Sequence, residues 1–312
     1  MTMARRDLAL IVVLSLIWGA SFMFIKVADR SFDPSALVWL RLVLGCAVMV
    51  PTALALAGPR AILAARPFWW RIALLGFVNT AAPFLLISWA ETRIDSGLAG
   101  ILQAAAPIFS ALITTRFGSD RVTGSRLVGV LVGFAGVGLL IGSPGRGGVL
   151  AALAVVLAAL GYATGASLGA HLASNVQPIV VGTLSTAIAA ILVTPLGVSR
   201  LPASVPGWKE DWSLIALGVV GTGLAYILAY ELLRSAGASR TILITYLIPG
   251  VALLYGVVLL GEPLRWIAVA GLVLILAGVA LASGRRSVGL RRAAVPAHDV
   301  SDHRPAAEPD VL

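Results

Sequence analysis

The chain has 312 residues, 59% of them hydrophobic and 12% charged, about half the charged share of an ordinary soluble domain, which excludes a soluble globular fold. The formal net charge is +9, but the arginines stand in short loops between apolar runs, with no basic helix and no aromatic-interleaved basic stretch, and this excludes a nucleic-acid-binding surface. The one cysteine, Cys46, lies inside an apolar run, so no intrachain disulfide forms.

A membrane-crossing helix needs about 20 mostly apolar residues, and such segments fill nearly the whole chain. Residues 1–28 have the basic start and apolar centre of a signal peptide, yet the apolar run is too long for one and the pattern recurs nine more times. We therefore read a first set of spans near 8–27, 35–57, 70–90, 96–115 and 124–142. A second set follows near 149–170, 178–198, 212–233, 238–260 and 264–283. The expected organisation is a cytoplasmic N-terminus (1–7), a first five-helix repeat (8–142), a second (149–284) and a cytoplasmic tail (285–312). That tail carries arginines, prolines and acids without an apolar period and reads as disordered.

Fifteen of the 23 lysines and arginines fall on the side that holds both termini and seven on the other. Positive residues are retained on the cytoplasmic side, so both termini are expected there.

The internal repeat is the strongest signal. At an offset of 144, Trp18 aligns with Tyr162, Asp33-Pro34 with Gln177-Pro178, and Pro51 with Pro195. At an offset of 142, Trp70 aligns with Trp212, Gly76 with Gly218, Pro107 with Pro249, Asp120 with Glu262, Gly129 with Gly271 and Gly136 with Gly278. The change of two falls in the loop after span two, where length costs little. Five spans per repeat is an odd number, so the second repeat enters the membrane inverted. The fold class is thus an all-α membrane protein of ten transmembrane helices in two inverted five-helix repeats, an arrangement that places a binding site near the midplane and lets it open alternately to either side.

Pro107 and Pro249 sit mid-span, where each removes a backbone hydrogen bond; each is either a packing kink or a hinge lining a cavity. In span four, Gln103, Pro107, Ser110 and Thr114 share one helical face, and the repeat partners of the first two are Thr245, next to Tyr246, and Pro249. A polar stripe in lipid faces protein or water, so Gln103 and Thr245 are candidates for cavity lining or for interhelical hydrogen bonds. Thr222, Tyr226 and Tyr230 share a face of span eight, and Asn79 is central in span three. Trp18 and Tyr162 lie too deep for an interfacial aromatic belt; they suit either core packing or an amphipathic ligand held by stacking or cation–π contact. The candidate substrate-binding set is Trp18, Asn79, Gln103, Tyr162, Thr222, Tyr226, Thr245 and Tyr246, with Pro107 and Pro249 as hinges.

Ionisable groups in spans are functional candidates by default. Arg41, in the first turns of span two, is read as snorkelling outward or capping a partner. Glu91, Glu231 and Glu262 lie at span ends and read as interfacial charge pairs or as groups that take up a proton. Glycines spaced by four, Gly129 and Gly133 and then Gly161, Gly165 and Gly169, read as close helix contacts.

No catalytic or metal site emerges. The two lysines, Lys26 and Lys209, follow Ile25 and Trp208, which leaves no P-loop. His171 stands alone and His298 and His303 are in the tail, so no metal-ligand spacing exists. No enzyme activity, cofactor or metal is expected, although an intramembrane enzyme or passive channel is the reading from another class.

The stretch Trp18-Gly19-Ala20-Ser21-Phe22, Pro34 followed by Arg41-Leu42, the mid-helix prolines, and Gly261-Glu262-Pro263-Leu264 ahead of a glycine-spaced last span together resemble the EamA-type branch of the drug/metabolite transporter superfamily. The resemblance covers about residues 8–284; in the first repeat the Gly-Glu ending is Gly118-Ser119-Asp120-Arg121. It implies a bacterial inner-membrane protein with both termini cytoplasmic and a central cavity lined by spans one, three, four, six, eight and nine. It further implies alternating-access export of small metabolites, often amino acids, with broad drug efflux as the alternative. Expected partners are a small-molecule substrate and the lipid bilayer. Proton coupling is left open, as is the choice between monomer and homodimer.

Overall fold

The computed structural model describes residues 5–117, 124–142, 148–237, 241 and 243–282. The expected tail and the Gly118-Ser119-Asp120-Arg121 segment lie outside them. Among the described residues every regular element is helical, as ten spans in which no backbone group need seek water inside the membrane.

Span one is α1, Arg5–Ala28, so Arg5 to Asp7 belong to the helix rather than to a flanking segment. Span two, α2, Pro34–Ala64, starts on Asp33, whose Oδ1 accepts the Ser35 N–H at 2.9 Å, with proline in its first turn. It breaks at Gly58, which at φ 78° adopts a backbone that glycine alone takes readily; the apolar run ended one residue earlier. Span three is interrupted: α3, Trp69–Gly76, passes through a π turn, Phe77–Ala81, into α4, Ala82–Glu91. Span four is also split, into α5, Ser96–Gln103, and α6, Ala106–Phe117. Between them the N–H groups of Ala104 and Ala105 bond only three residues back, to Ile101 and Leu102, at 3.0 and 3.1 Å. Pro107 explains the split, since it brings no N–H to the Gln103 carbonyl. Span five is α7, Gly124–Ile141.

The second repeat gives α8, Gly148–Ala173, and α9, Pro178–Val198. Span eight is α10, Trp208–Ile215, a π turn, Ala216–Leu224, and α11, Ala225–Ala236. The two π turns overlap under the offset of 142. Their causes differ: Pro83 follows the first, and Gly218, Gly221 and Gly223 weaken the second. Span nine, α12, Leu243–Leu260, runs unbroken through Pro249, and span ten is α13, Trp266–Ala282. The symmetric prolines therefore have different outcomes, a split helix at Pro107 and a continuous one at Pro249.

Contacts between the halves are reciprocal. A methyl built on Gly129 would lie 2.6 Å from the Gly278 carbonyl oxygen, and one on Gly136 would lie 3.0 Å from that of Gly271; the offset of 142 maps each pair onto the other. Likewise Gly218 packs on the Arg41 backbone and Gly76 on that of Ser185, its counterpart at 144. Spans five and ten thus pair along α7 and α13, and spans two and seven along α2 and α9, with small residues allowing close approach. Large apolar side chains such as Leu131, Leu157, Ile191, Leu254 and Val258 face outward, where only lipid tails satisfy them.

Candidate functional site

A cavity of about 380 Å³ opens between the repeats. Its wall is built from equivalent positions of the two halves: Trp18 and Tyr162, Phe22 and Ala166, Phe84 and Tyr226, Gln103 and Thr245, Pro107 and Pro249. It therefore straddles the axis that relates the repeats. Asn79, Ser21 and Ser110 add polar groups, and no Asp, Glu or Lys is among the described residues that line it.

Of the expected site residues, Trp18, Asn79, Gln103, Tyr162, Tyr226 and Thr245 meet at this cavity, as do both prolines. Thr222 and Tyr246 fall outside its wall. Thr222 is fully buried behind it; its Oγ1 donates to the Leu217 carbonyl at 3.0 Å and accepts from Arg41. Tyr246 packs against the hydrophobic core. The Trp18 ring is pinned by a 3.2 Å bond from Nε1 to the Gly221 carbonyl in the second π turn, and meets Tyr226 edge to face with centroids 6.2 Å apart. The π turn thereby orients an aromatic wall.

Arg41 does not snorkel outward. It is 6% exposed and forms part of the cavity wall. The guanidinium stacks on Phe84, 4.0 Å from the ring centroid, and Nε donates to Thr222 Oγ1 at 2.9 Å. An arginine seven residues into an apolar run was the available signal; which way it faced depended on span two meeting span eight, a tertiary fact.

On the side opposite the termini the two repeats are packed and hydrogen-bonded together. There α5 packs along α12, and the Glu262 carboxylate accepts the Ser96 and Gly97 N–H groups at 2.7 and 3.0 Å. Lys26 Nζ donates to the carbonyls of Glu91 and Ile94, the latter at 2.8 Å, and Ser88 Oγ donates to Asp29 Oδ1 at 3.1 Å. Burial pushes the Asp29 carboxyl up to about 7, against the pull of the Ser88 hydrogen bond and the Lys26 charge. Glu91 is neither at water nor ion-paired: it is fully buried and neither carboxylate oxygen has a hydrogen bond. Beyond the split, α6 leaves α12 and packs on α8. On the terminal side spans one and eight are tied by Arg6–Glu231 at 2.9 Å, with Arg234 on the same carboxylate, and by Ser235 to Asp7 at 2.8 Å. Glu231 is thus the interfacial pair its position suggested.

The EamA-like transporter family matches residues 6–142 and again residues 149–284. The chain belongs to the EamA-like transporter family. Relatives of this EamA-like chain include some with functional names. It is 29% identical to a "Probable terminal-alkyne amino-acid exporter" of Streptantibioticus cattleyicolor, over 89% of the chain and 93% of the relative. It is 28% identical to a "Probable amino-acid metabolite efflux pump" of Salmonella typhimurium, over 89% and 94%. A protein of solved crystal structure shares the EamA-like fold, with a TM-score of 0.63 at 20% identity over 90% of this chain and 97% of that one.

Proposed function

We propose that this EamA-like transporter exports amino acids or closely related metabolites across a bacterial inner membrane by alternating access, with both termini in the cytoplasm. The observation that carries the reading is the cavity itself: it lies on the axis between two inverted repeats, open space at its centre and a packed, hydrogen-bonded seal at one end. Two similar halves of opposite orientation can exchange conformations and move the seal to the other end. The names of the relatives support the substrate class.

The test is counterflow. Purified protein in liposomes preloaded with unlabelled amino acids should take up labelled amino acid transiently and saturably. Gln103→Ala, in the cavity wall, should slow this about tenfold through a lost polar contact, whereas Cys46→Ala, beside the Val38, Leu42 and Phe84 cluster, should change it little. Flux that rises linearly with concentration and shows no counterflow would establish a pore instead, and absence of flux across a broad amino-acid panel by folded protein would end the exporter reading.

A further inference from the structure

Among the described residues the cavity wall contains one fixed charge, Arg41, and no carboxylate is paired with it. Arg41 carries five N–H donors, and among the described residues its hydrogen bonding is limited to the Nε bond to Thr222. The ion pairs of the described residues involve Arg6, Arg200 and Arg234, not Arg41. Buried Glu91 lies within electrostatic reach but makes no hydrogen bond to it. Stacking on Phe84 offsets part of the desolvation cost and leaves the outer edge of the guanidinium unused. A buried cation held this way calls for an anionic partner. The planar fork of arginine matches a carboxylate through two parallel bonds.

The second repeat reinforces this reading. The position equivalent to Arg41 is Ser185, whose hydroxyl is satisfied by the Gly182 carbonyl at 3.0 Å. The charge therefore marks one wall of an otherwise paired cavity. The rest of the wall offers the faces of Trp18, Tyr162 and Tyr226 and the amides of Asn79 and Gln103, which accommodate an ammonium group and an apolar side chain without a formal negative charge.

We propose that the Arg41 guanidinium is the anion-binding element of the cavity and that the exported compounds carry a carboxylate that docks on its unpaired edge. This rests on the exporter reading and narrows it to amino acids and other monocarboxylates, against lipophilic cations that have no acid group.

The experiment compares three probes that share one ring, L-phenylalanine, 3-phenylpropionate (no ammonium) and phenylethylamine (no carboxylate), by ligand-dependent thermal stabilisation of the purified full-length protein. The two acids should bind the wild type at least about tenfold more tightly than the amine. Arg41→Gln should weaken both acids by about tenfold or more and leave the amine unchanged, while Arg41→Lys, which keeps the charge and loses the fork, should fall between. The wild-type comparison needs no variant, so a misfolded Arg41→Gln does not remove the test. Equal binding of the amine, or an equal loss for all three probes in a folded Arg41→Gln protein, overturns the proposal. Binding of none of the three overturns it too, and in that case saturable counterflow of any solute in the liposome assay still leaves the exporter reading standing.

Discussion

Removing the Glu262 carboxylate should unlock the closed end of the cavity. That carboxylate accepts the first two N–H groups of α5, from Ser96 and Gly97, at 2.7 and 3.0 Å. These groups have no partner inside their own helix, and the positive end of the helix dipole favours an anion there. A hydrogen bond to a charged group contributes about 1.5–3 kcal/mol net. Because Glu262 is part-exposed, we take about 2–3 kcal/mol for the pair together. Glu262→Ala should then raise the ratio of open to closed conformers about 30- to 150-fold, and Glu262→Gln, which retains one carbonyl acceptor, about tenfold. The single native cysteine makes the assay direct. In a Cys46→Ser background, Ser96→Cys places a thiol at a fully buried position of the seal, where its alkylation rate tracks the population of the opened state. Gly256→Ala should act in the same direction, since its methyl would overlap the Glu262 carboxylate and lie 3.0 Å from Ser96 Oγ. Alkylation rates within twofold of the parent for Glu262→Ala and Glu262→Gln alike would show that these bonds do not hold the seal.

Two further perturbations separate packing and titration from transport. Gly278→Ala would put a methyl 2.5 Å from the Gly133 nitrogen and 2.6 Å from the Gly129 oxygen; both are backbone atoms, so spans five and ten must part, at a cost of about 1–3 kcal/mol. Its melting temperature should fall by several degrees in detergent while ligand affinity holds, because neither span lines the cavity; an unchanged melting point would refute the close packing. For Asp29 the folded-state value near 7 lies above the ordinary 3.8. Between those values the folded protein keeps a proton that the unfolded chain releases, so this contribution to stability is full below about pH 4 and is lost as pH rises through 7. Asp29→Asn should flatten the decline in unfolding stability across that window, and an identical slope in both proteins would place the burial elsewhere.

The repeat was legible because its evidence is packing written in residue types. Gly129, Gly136, Gly271 and Gly278 recur at one offset, and the structure uses them as two reciprocal backbone contacts. The candidate wall was largely legible for a related reason: a polar or aromatic residue deep in an apolar run must face protein or water, and Trp18, Asn79, Gln103, Tyr162, Tyr226 and Thr245 all do. What stayed hidden depended on the neighbouring helix. A π turn adds one residue to a turn without changing composition, so only Pro83 hinted at the first, and nothing but glycines marked the second. Thr222 shares a helical face with Tyr226 by spacing, yet the π turn rotates it away from the wall to serve Arg41. Pro107 and Pro249 are the same residue at the same depth, and only α5 and α6 separate.

The pattern of what the repeats share and where they differ is the one that the proposed alternating access and substrate binding would demand. For two halves to exchange roles, their mutual backbone contacts must be interchangeable, and the contacts that swap under the repeat, Gly129 with Gly278 and Gly136 with Gly271, or Gly76 with Ser185 and Gly218 with Arg41, depend on small residues or main chain. The proposed substrate has no such symmetry, since an amino acid would present an acid, an ammonium group and a side chain to different walls. Cavity positions accordingly keep their place but not their chemistry: Trp18 opposes Tyr162, Gln103 opposes Thr245, Phe84 opposes Tyr226, and Arg41 has its counterpart in a serine. The backbone of Arg41 belongs to the symmetric contact while its side chain belongs to the asymmetric wall, so substituting that side chain should alter which compounds are accepted without altering how the halves meet.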